Sequence, residues 1–438
     1  MVYMGPLTII GAQAPPPSPT RCTIMVSADG VGWQKRSNPW DSLLQSSRWY
    51  GSFGTTPTIS YGGGVGDSAD YLLACSYYTP PGSSVPVPNI LRSVDTILWE
   101  QLTVVTEGSY EGAAFCPIGK PAWSPSLELW VCGGACYWYN PTSHMVATFH
   151  GMATSVDGAT WNFTQSPSDA SANLYPQVVV WNSVAEVVIP TGTAGYVGPT
   201  GTFTGAFFAG GNSDGELGQT ICMSVDGVNW LGASGPVSTS GPNVWRGVPF
   251  GAQTLMGGGN SRINTGGWIV DIANGLTYPY GGPSSDSLPK STQQQITGLA
   301  TDGSNLGATC YEFNPPSSTW SAVLQRVGTT WEQAATTPWD FYSVSGAYNY
   351  GPADMAYSPD LDQWLVVGMN PLNYDHAVMT APSLTGTWTE QTTPMDNAPS
   401  YSSTPPDIYT AEPGALGAIW AHTQGMWVVV GSAGPMPT

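Results

Sequence analysis

The sequence predicts an all-β protein, a seven-bladed β-propeller, from three observations. A heptad, Ser-x-Asp-Gly-x-x-Trp, recurs along the chain, and an apolar strand phrase lies upstream of its copies. The first heptad has no phrase upstream of it and the last phrase has no heptad after it, so both chain ends are needed to complete one repeat. A long repeat rich in short strands and turns is typical of propellers, in which each blade is a four-stranded sheet.

The heptad marks one hairpin turn in each blade. Its three clean and four degraded copies end at Trp33, Trp161, Trp230, Trp99, Tyr278, Trp331 and Trp388. The mean period is about 59 residues, enough for four short strands and their loops. Asp-Gly suits a tight turn, because glycine accepts a positive φ and aspartate bonds the nearby backbone. The predicted turn residues are Asp29, Gly30, Asp157, Gly158, Asp226 and Gly227.

The upstream phrase is an apolar strand, written Trp-Leu-Val-Val-Gly at residues 364–368 and Trp-Val-Val-Val-Gly at residues 427–431. It also occurs seven times. The first heptad lacks an upstream phrase, and the last phrase lacks a following heptad. We therefore expect the N-terminal strands to form the outer half, and the C-terminal strands the inner half, of one shared blade. This arrangement closes the ring and removes exposed sheet edges.

The chain is expected to divide into an N-terminal arm, residues 1–20, and the propeller, residues 21–438. In the arm, a short apolar run is followed by the proline-rich segment 12–19. Such a segment forms an extended, semi-rigid spacer. An arm of this kind pairs with the sheet edge of a neighbouring subunit. A frayed terminus is the alternative, and the sequence leaves both open.

Charge excludes two classes of partner. The formal net charge is −19, with only ten lysines and arginines in 438 residues. Too few cations are present to neutralise a run of phosphates or to bind an anionic membrane, so neither nucleic acid nor a membrane is an expected partner. No stretch approaches 18 apolar residues, and the first residues lack a basic and apolar secretory signal. We therefore predict neither a transmembrane segment nor a signal peptide.

No metal or cofactor site is predicted. The seven cysteines lie mostly in apolar, strand-like runs, as buried thiols do in a reduced protein. Cys132 and Cys136 lack a second ligand pair at zinc-site spacing. No phosphate loop, dinucleotide fingerprint or nucleophile elbow occurs in a suitable context, and no catalytic residue is assigned.

The heptad resembles the Asp-box repeat of sialidase-like propellers, although it is one residue shorter between Asp and Gly. The combination of Trp-Val-Val-Gly with the heptad also resembles propeller proteins of tailed bacteriophages. Both resemblances cover residues 21–438. They imply the propeller fold, while Asp-box turns are structural and lie away from catalytic centres.

The main functional expectation is a non-enzymatic virion protein of a tailed bacteriophage, part of the tail or particle surface and released from the host by lysis. It would serve as a rigid adaptor or host-receptor platform, with other virion proteins and a host-surface glycan as partners. The arm, the missing signal and a charged fraction of only 9% favour it.

Two alternatives remain open. The first is a stand-alone glycan-binding propeller, in which loop aromatics stack on sugars; buried packing between blades is the favoured explanation of these side chains. The candidate residues are Tyr137, Trp138, Tyr139, Trp339, Tyr342, Tyr348 and Tyr350. The second is a sialidase-like glycoside hydrolase, which needs two suitably spaced carboxylates. Sialidases also use three arginines, and this chain has seven in all without the Arg-Ile-Pro phrase that opens many of them.

Overall fold

The structure, a computed structural model, describes residues 21–42, 58–64, 70–78, 85–108, 111–140, 145–165, 168–169, 172–213, 219–234, 243–260, 265–272, 294–312, 321–328, 330–336, 352–369, 376–394 and 414–433. Within these ranges the regular structure is thirty β-strands and one short 3-10 helix, Pro39–Ser42. The prediction of an all-β propeller is confirmed. None of the described helical residues forms a span long and apolar enough to cross a bilayer.

The strands of the described residues are numbered in chain order. The first fifteen are β1 (Arg21–Ser27), β2 (Gln34–Arg36), β3 (Thr58–Gly62), β4 (Tyr71–Tyr78), β5 (Val87–Ser93), β6 (Glu100–Leu102), β7 (Val105–Glu107), β8 (Ala114–Pro117), β9 (Ala122–Ser124), β10 (Leu129–Asn140), β11 (Met145–Ser155), β12 (Thr160–Gln165), β13 (Ser168–Asp169), β14 (Ala172–Ile189) and β15 (Gly201–Ser213). The others are β16 (Gln219–Ser224), β17 (Leu231–Ser234), β18 (Asn243–Phe250), β19 (Gln253–Asn260), β20 (Thr265–Ile272), β21 (Gln294–Thr301), β22 (Leu306–Glu312), β23 (Ser321–Val327), β24 (Thr330–Thr336), β25 (Pro352–Ser358), β26 (Gln363–Met369), β27 (His376–Ala381), β28 (Thr389–Gln391), β29 (Gly414–Ala421) and β30 (Met426–Ala433).

The strands assemble into sheets that follow the chain. Their strand orders are β3-β4-β5-β6, β7-β12-β11-β10-β8 with β9 also on β10, β13-β14-β15-β16-β17, β18-β19-β20, β21-β22-β23-β24, β25-β26-β27-β28 and β2-β1-β30-β29. Six of these sheets have the four or more strands of a complete blade. The prediction of seven complete blades is therefore corrected to six. The remaining sheet has three described strands, and its predicted outer hairpin, near Tyr278, lies outside the described residues.

Neighbouring sheets pack through the strands nearest the axis. The inner strands β14, β18, β21, β25 and β29 contact one another in succession, and β29 contacts β3. β1 pairs antiparallel with β30, from Arg21 opposite Ala433 to Ser27 opposite Trp427. Strands from both ends of the chain thus share one sheet.

The inner strands of a blade are buried on both faces. Strand β30 shows why their sequences are apolar. Val428 and Val430 pack towards the β3–β6 sheet, while Trp427 and Val429 pack towards the β25–β28 sheet. Successive side chains of a strand point to opposite faces, so a strand between two sheets needs an unbroken apolar run. This explains the Trp-Val-Val-Val-Gly phrase.

The two ends of the ring differ. In each four-stranded meander, the turn between the first and second strands and the turn between the third and fourth lie at one end. The heptads form the second of these turns, so we call this end the turn face. The opposite end holds the beginnings of the inner strands, and we call it the bulge face. The predicted arm, residues 1–20, lies outside the described residues and stays a prediction.

Candidate functional site

Each clean heptad builds a turn from its own side chains. Ser155 donates its hydroxyl hydrogen to Asp157 Oδ1 at 3.0 Å and accepts the Gly158 N–H at 2.8 Å. Asp157 Oδ1 also accepts the Thr160 N–H at 2.8 Å, and the Trp161 indole N–H bonds the Gly158 carbonyl at 2.9 Å. Gly158 has a φ of 77°. Equivalent bonds surround Asp29 and Asp226.

These bonds favour the ionised aspartate. Burial of Asp157 disfavours its charged form, but the N–H groups of Thr160 and Ala159 and the Ser155 hydroxyl outweigh this effect and lower its pKa. At Asp29, which is more exposed, the Gly32 and Val31 N–H groups lower the pKa directly. Every donor is already engaged within the turn. The chemistry of the heptad is therefore that of a structural turn.

Replacing Asp157 by Ala should lower the free energy of unfolding by about 1 kcal/mol, the typical loss for such hydrogen bonds. Because the folded-state pKa is lowered, this stabilisation is present above the unfolded-state value, about 3.9, and is lost as the pH falls through the folded-state value. Urea unfolding at pH 7 and pH 3 measures both effects. The exposed Glu186→Ala variant is the control. A difference between Asp157→Ala and wild type that grows on acidification would contradict this account.

The bulge face carries a repeated irregularity. In five inner strands the pairing shifts by one residue near the start of the strand, at 176/178, 244/246, 296/298, 352/354 and 415/417. A β-bulge turns a side chain away from its regular direction and is common beside functional sites. These bulges surround the axis of the ring.

In the blade of β7 to β12, the irregular segment at the inner edge is the one between β8 and β9, and Lys120 lies on it. Gly119 donates its N–H to the Gly133 carbonyl at 3.1 Å, and Lys120 forms a parallel bridge with Val178 of the next inner strand. A Cβ on Gly119 would lie 2.8 Å from the Gln177 carbonyl oxygen. The close approach of the two backbones therefore requires glycine beside Lys120.

The other side of this segment is held by β3. The Ser60 hydroxyl donates to the Pro121 carbonyl at 2.6 Å, and the Thr58 hydroxyl donates to the Gly119 carbonyl at 3.3 Å. Side chains from one neighbour and backbone from the other thus fix the position of Lys120.

Arg246 and Asp354 form an ion pair across non-adjacent blades. The Arg246 Nε lies 3.6 Å from Asp354 Oδ1, and its Nη2 donates to the Ala353 carbonyl at 2.7 Å. Asp354 Oδ1 accepts the Met355 N–H at 3.0 Å, and Oδ2 accepts the Ala418 N–H at 3.2 Å. The Asp354 side chain is therefore fixed by groups from β18, β25 and β29.

Lys120, Arg246 and Asp354 form what we call the channel cluster. Burial disfavours the charged form of Lys120 and lowers its pKa; the Asp354 carboxylate opposes this shift, and the Arg246 guanidinium adds to it. The cluster holds two basic groups and one carboxylate, drawn from three blades. It can donate hydrogen bonds to a polar ligand and place a negative charge beside it. Among the described residues, no His, Cys, Asp and Glu side chains gather as a metal site.

Three of the predicted glycan-binding aromatics lie on one strand, β10. Tyr137 is half-buried, and burial raises its pKa to about 12. Trp138 and Tyr139 are 51% and 41% exposed near the end of β10 on the bulge face, where they point to opposite sides of the strand. Four others lie outside the described residues: Trp339, Tyr342, Tyr348 and Tyr350.

A second polar group lies on the turn face. Asp360 Oδ2 accepts the Trp420 indole N–H at 2.7 Å and lies 2.6 Å from His422 Nδ1. The Trp420 bond, followed by the His422 interaction, lowers the pKa of Asp360. No hydroxyl or thiol of the described residues is hydrogen-bonded to the His422 ring.

The sequence prediction missed the channel cluster. The sequence patterns indicate no site at Lys120, Arg246 or Asp354. One signal was available: Lys120 is the only charged residue between positions 112 and 126. A lone lysine in an apolar segment is costly unless the fold uses it.

Comparison with known proteins identifies no family. No protein-family model matches the chain, and no curated protein is similar enough to count as a match. Among solved structures, a GH32 β-fructofuranosidase of Bombyx mori is 13% identical over 90% of this chain and 94% of its own, with a TM-score of 0.33. An intramolecular trans-sialidase of Ruminococcus gnavus is 9% identical over 73% and 90%, with a TM-score of 0.37. A puromycin-hydrolysing peptidase of Mycobacterium tuberculosis is 10% identical over 90% and 55%, with a TM-score of 0.42.

This finding corrects two predictions. The expectation of a virion structural protein is wrong, because the similar structures are enzymes and two of them act on carbohydrates. They correspond to the second alternative from the sequence, a glycoside hydrolase. The prediction that the chain is not an enzyme is wrong on the same ground, and localisation in a virion has no support. The predicted partners are not tested. At such low identity the alignments indicate the fold alone, so residue roles must come from the geometry of this chain.

Proposed function

We propose that this chain is a carbohydrate-processing propeller of the glycoside-hydrolase type, with its sugar site on the bulge face above the channel cluster. One observation carries the proposal: Arg246 of one blade is paired with Asp354 of another at the inner-strand bulges, and both act electrostatically on Lys120 of a third blade. Polar groups brought together from separate elements are typical of ligand recognition.

Each member of the channel cluster has a role in this proposal. Asp354 is held by Arg246 and by two N–H groups, so its carboxylate is oriented before a ligand arrives. A fixed negative charge stabilises the oxocarbenium-like transition state of glycoside cleavage. Lys120 and Arg246 are the hydrogen-bond donors to sugar hydroxyl or acidic groups.

Glycoside hydrolysis by the usual route needs two carboxylates, and the channel cluster supplies one. The proposal therefore requires a second acidic residue that acts as the proton donor. A scan that replaces each aspartate and glutamate by its amide should find one further residue whose loss abolishes activity without changing the melting temperature.

Trp138 is proposed as an accessory sugar contact. Its indole is 51% exposed and lies on the same end of the ring as the channel cluster. Exposed aromatic rings bring large apolar faces and a polar edge to such contacts. Trp138→Ala is expected to weaken binding of long glycans more than of short ones.

The ring proposed for this function is closed by the sheet that β1 and β30 share. The pairing of these strands and the contact between β29 and β3 support the closure. A sealed ring would hold the three members of the channel cluster at fixed separations.

Sugar release from a panel of neutral and acidic oligosaccharides tests the proposed function. Asp354→Asn should lower kcat by about a hundredfold, the scale of losing one electrostatic contribution to the transition state. The matched control is Asp302→Asn on the turn face, where Asp302 accepts only N–H groups of its own turn. Release of no sugar by the wild type, or equal activity of both variants, would refute the proposal.

A further inference from the structure

Lys120 differs from an ordinary surface lysine in its accessibility and in how its charge is compensated. Its side chain is partly accessible rather than exposed, and it makes no hydrogen bond or ion pair with the described residues. The oxygens of Asp354, the carboxylate of the channel cluster, are already engaged by Arg246 and by backbone N–H groups. The ammonium form of Lys120 is therefore poorly compensated.

The surroundings favour the neutral amine. Burial lowers the pKa of Lys120, and the neighbouring Arg246 guanidinium acts in the same direction, although Asp354 opposes them. Desolvation and a nearby cation are the two means by which proteins activate lysines as nucleophiles towards carbonyl compounds.

The backbone that carries Lys120 is also fixed. The backbone on both sides of Lys120 is held by hydrogen bonds from Thr58, Ser60 and Gly119, and Gly119 cannot accept a larger side chain. Partial accessibility and incomplete charge compensation are thus combined in a side chain on a rigid segment between two blades.

We propose that Lys120 is a carbonyl-reactive residue, which captures small aldehydes of the hydroxyaldehyde class as an imine in the central channel. The Lys120 Nζ attacks the carbonyl carbon, and a C–N bond forms. After proton transfer, the carbonyl oxygen leaves as water with two hydrogens from the amine and the medium, and the product is a protonated imine. No oxidant or reductant is needed. The protonated imine carries the same charge as the ammonium group, and Arg246 and Asp354 remain paired.

The test uses the whole folded chain with glycolaldehyde, and sodium cyanoborohydride converts any imine to a stable secondary amine. Peptide mass spectrometry then measures the modification rate at each lysine. The sequence has only three lysines, Lys35, Lys120 and Lys290. At pH 7, Lys120 should react several-fold faster than the exposed Lys35, despite its lower accessibility. In urea-unfolded protein the two rates should become equal.

Two variants serve as controls. Lys35→Arg should leave the rate at Lys120 unchanged. Lys120→Met has a side chain of similar length without the amine, cannot form the imine, and should remove the fast phase while the protein stays folded. A folded wild-type protein in which Lys120 reacts no faster than Lys35 would overturn the proposal. Because the readout is a covalent adduct, that outcome is independent of whether the chain hydrolyses glycosides.

Discussion

Replacing Asp354 by Ala should lower the free energy of unfolding by about 3 kcal/mol. The carboxylate is 90% buried and binds Arg246 together with the N–H groups of Met355 and Ala418. Its removal leaves the Arg246 guanidinium without its counter-charge and two backbone N–H groups without this acceptor. Breaking a buried pair costs about 3 to 5 kcal/mol, and the lower end applies because the Arg246 side chain keeps 28% exposure.

A double-mutant cycle separates the ion pair from the rest of this loss. Arg246→Met removes the other partner, and the double variant removes both. If the pair is responsible, the double variant should lose clearly less stability than the sum of the two single variants in urea unfolding. Additive losses would mean that the two side chains stabilise the protein independently.

Trp161→Ala should be equally damaging, with a loss of about 3 to 5 kcal/mol. The side chain is fully buried, its ring centroid lies 5.4 Å from that of Phe115, and its indole N–H bonds the Gly158 carbonyl. Deleting it opens a large cavity between two blades and removes the hydrogen bond from the indole to the heptad turn.

Trp138→Ala is the matched control, since the same atoms are deleted from a side chain that is 51% exposed. Its effect on the midpoint of urea unfolding should be close to zero. Trp161→Phe should lie in between, because it keeps most of the apolar contact and loses the indole hydrogen bond. A Trp161→Ala variant as stable as Trp138→Ala would show that the heptad tryptophan is not a core residue.

The repeat allowed the fold to be predicted because its signals are local. Asp-Gly determines a turn within four residues, and an apolar run between two sheets needs no distant information. The heptad aromatics accordingly lie in the core: Trp33, Trp99, Trp161, Trp230, Trp331 and Trp388 are all at most 8% exposed. The blade count was weakest at Tyr278, where the phrase is most degraded and where the sheet has only three described strands.

The channel cluster could not be predicted in the same way. Lys120, Arg246 and Asp354 are separated by more than a hundred residues each, and no motif joins them. Their meeting depends on the order of blades around the axis and on bulges set by strand pairing, which a single sequence does not display. The aromatic candidates stay a prediction. Trp138 points to the opposite side of β10 from Tyr137 and Tyr139, and the other four lie outside the described residues.

The pairing of β1 with β30 also determines how the protein would respond to force. Arg21 and Ala433 are opposite one another, and the two strands run antiparallel away from them. A pull that separates these two residues would load the backbone hydrogen bonds one pair after another, as in a zipper, rather than all together. We therefore expect the sheet that joins the ends of the chain to be mechanically weak along this direction, although it lies in a tightly packed core.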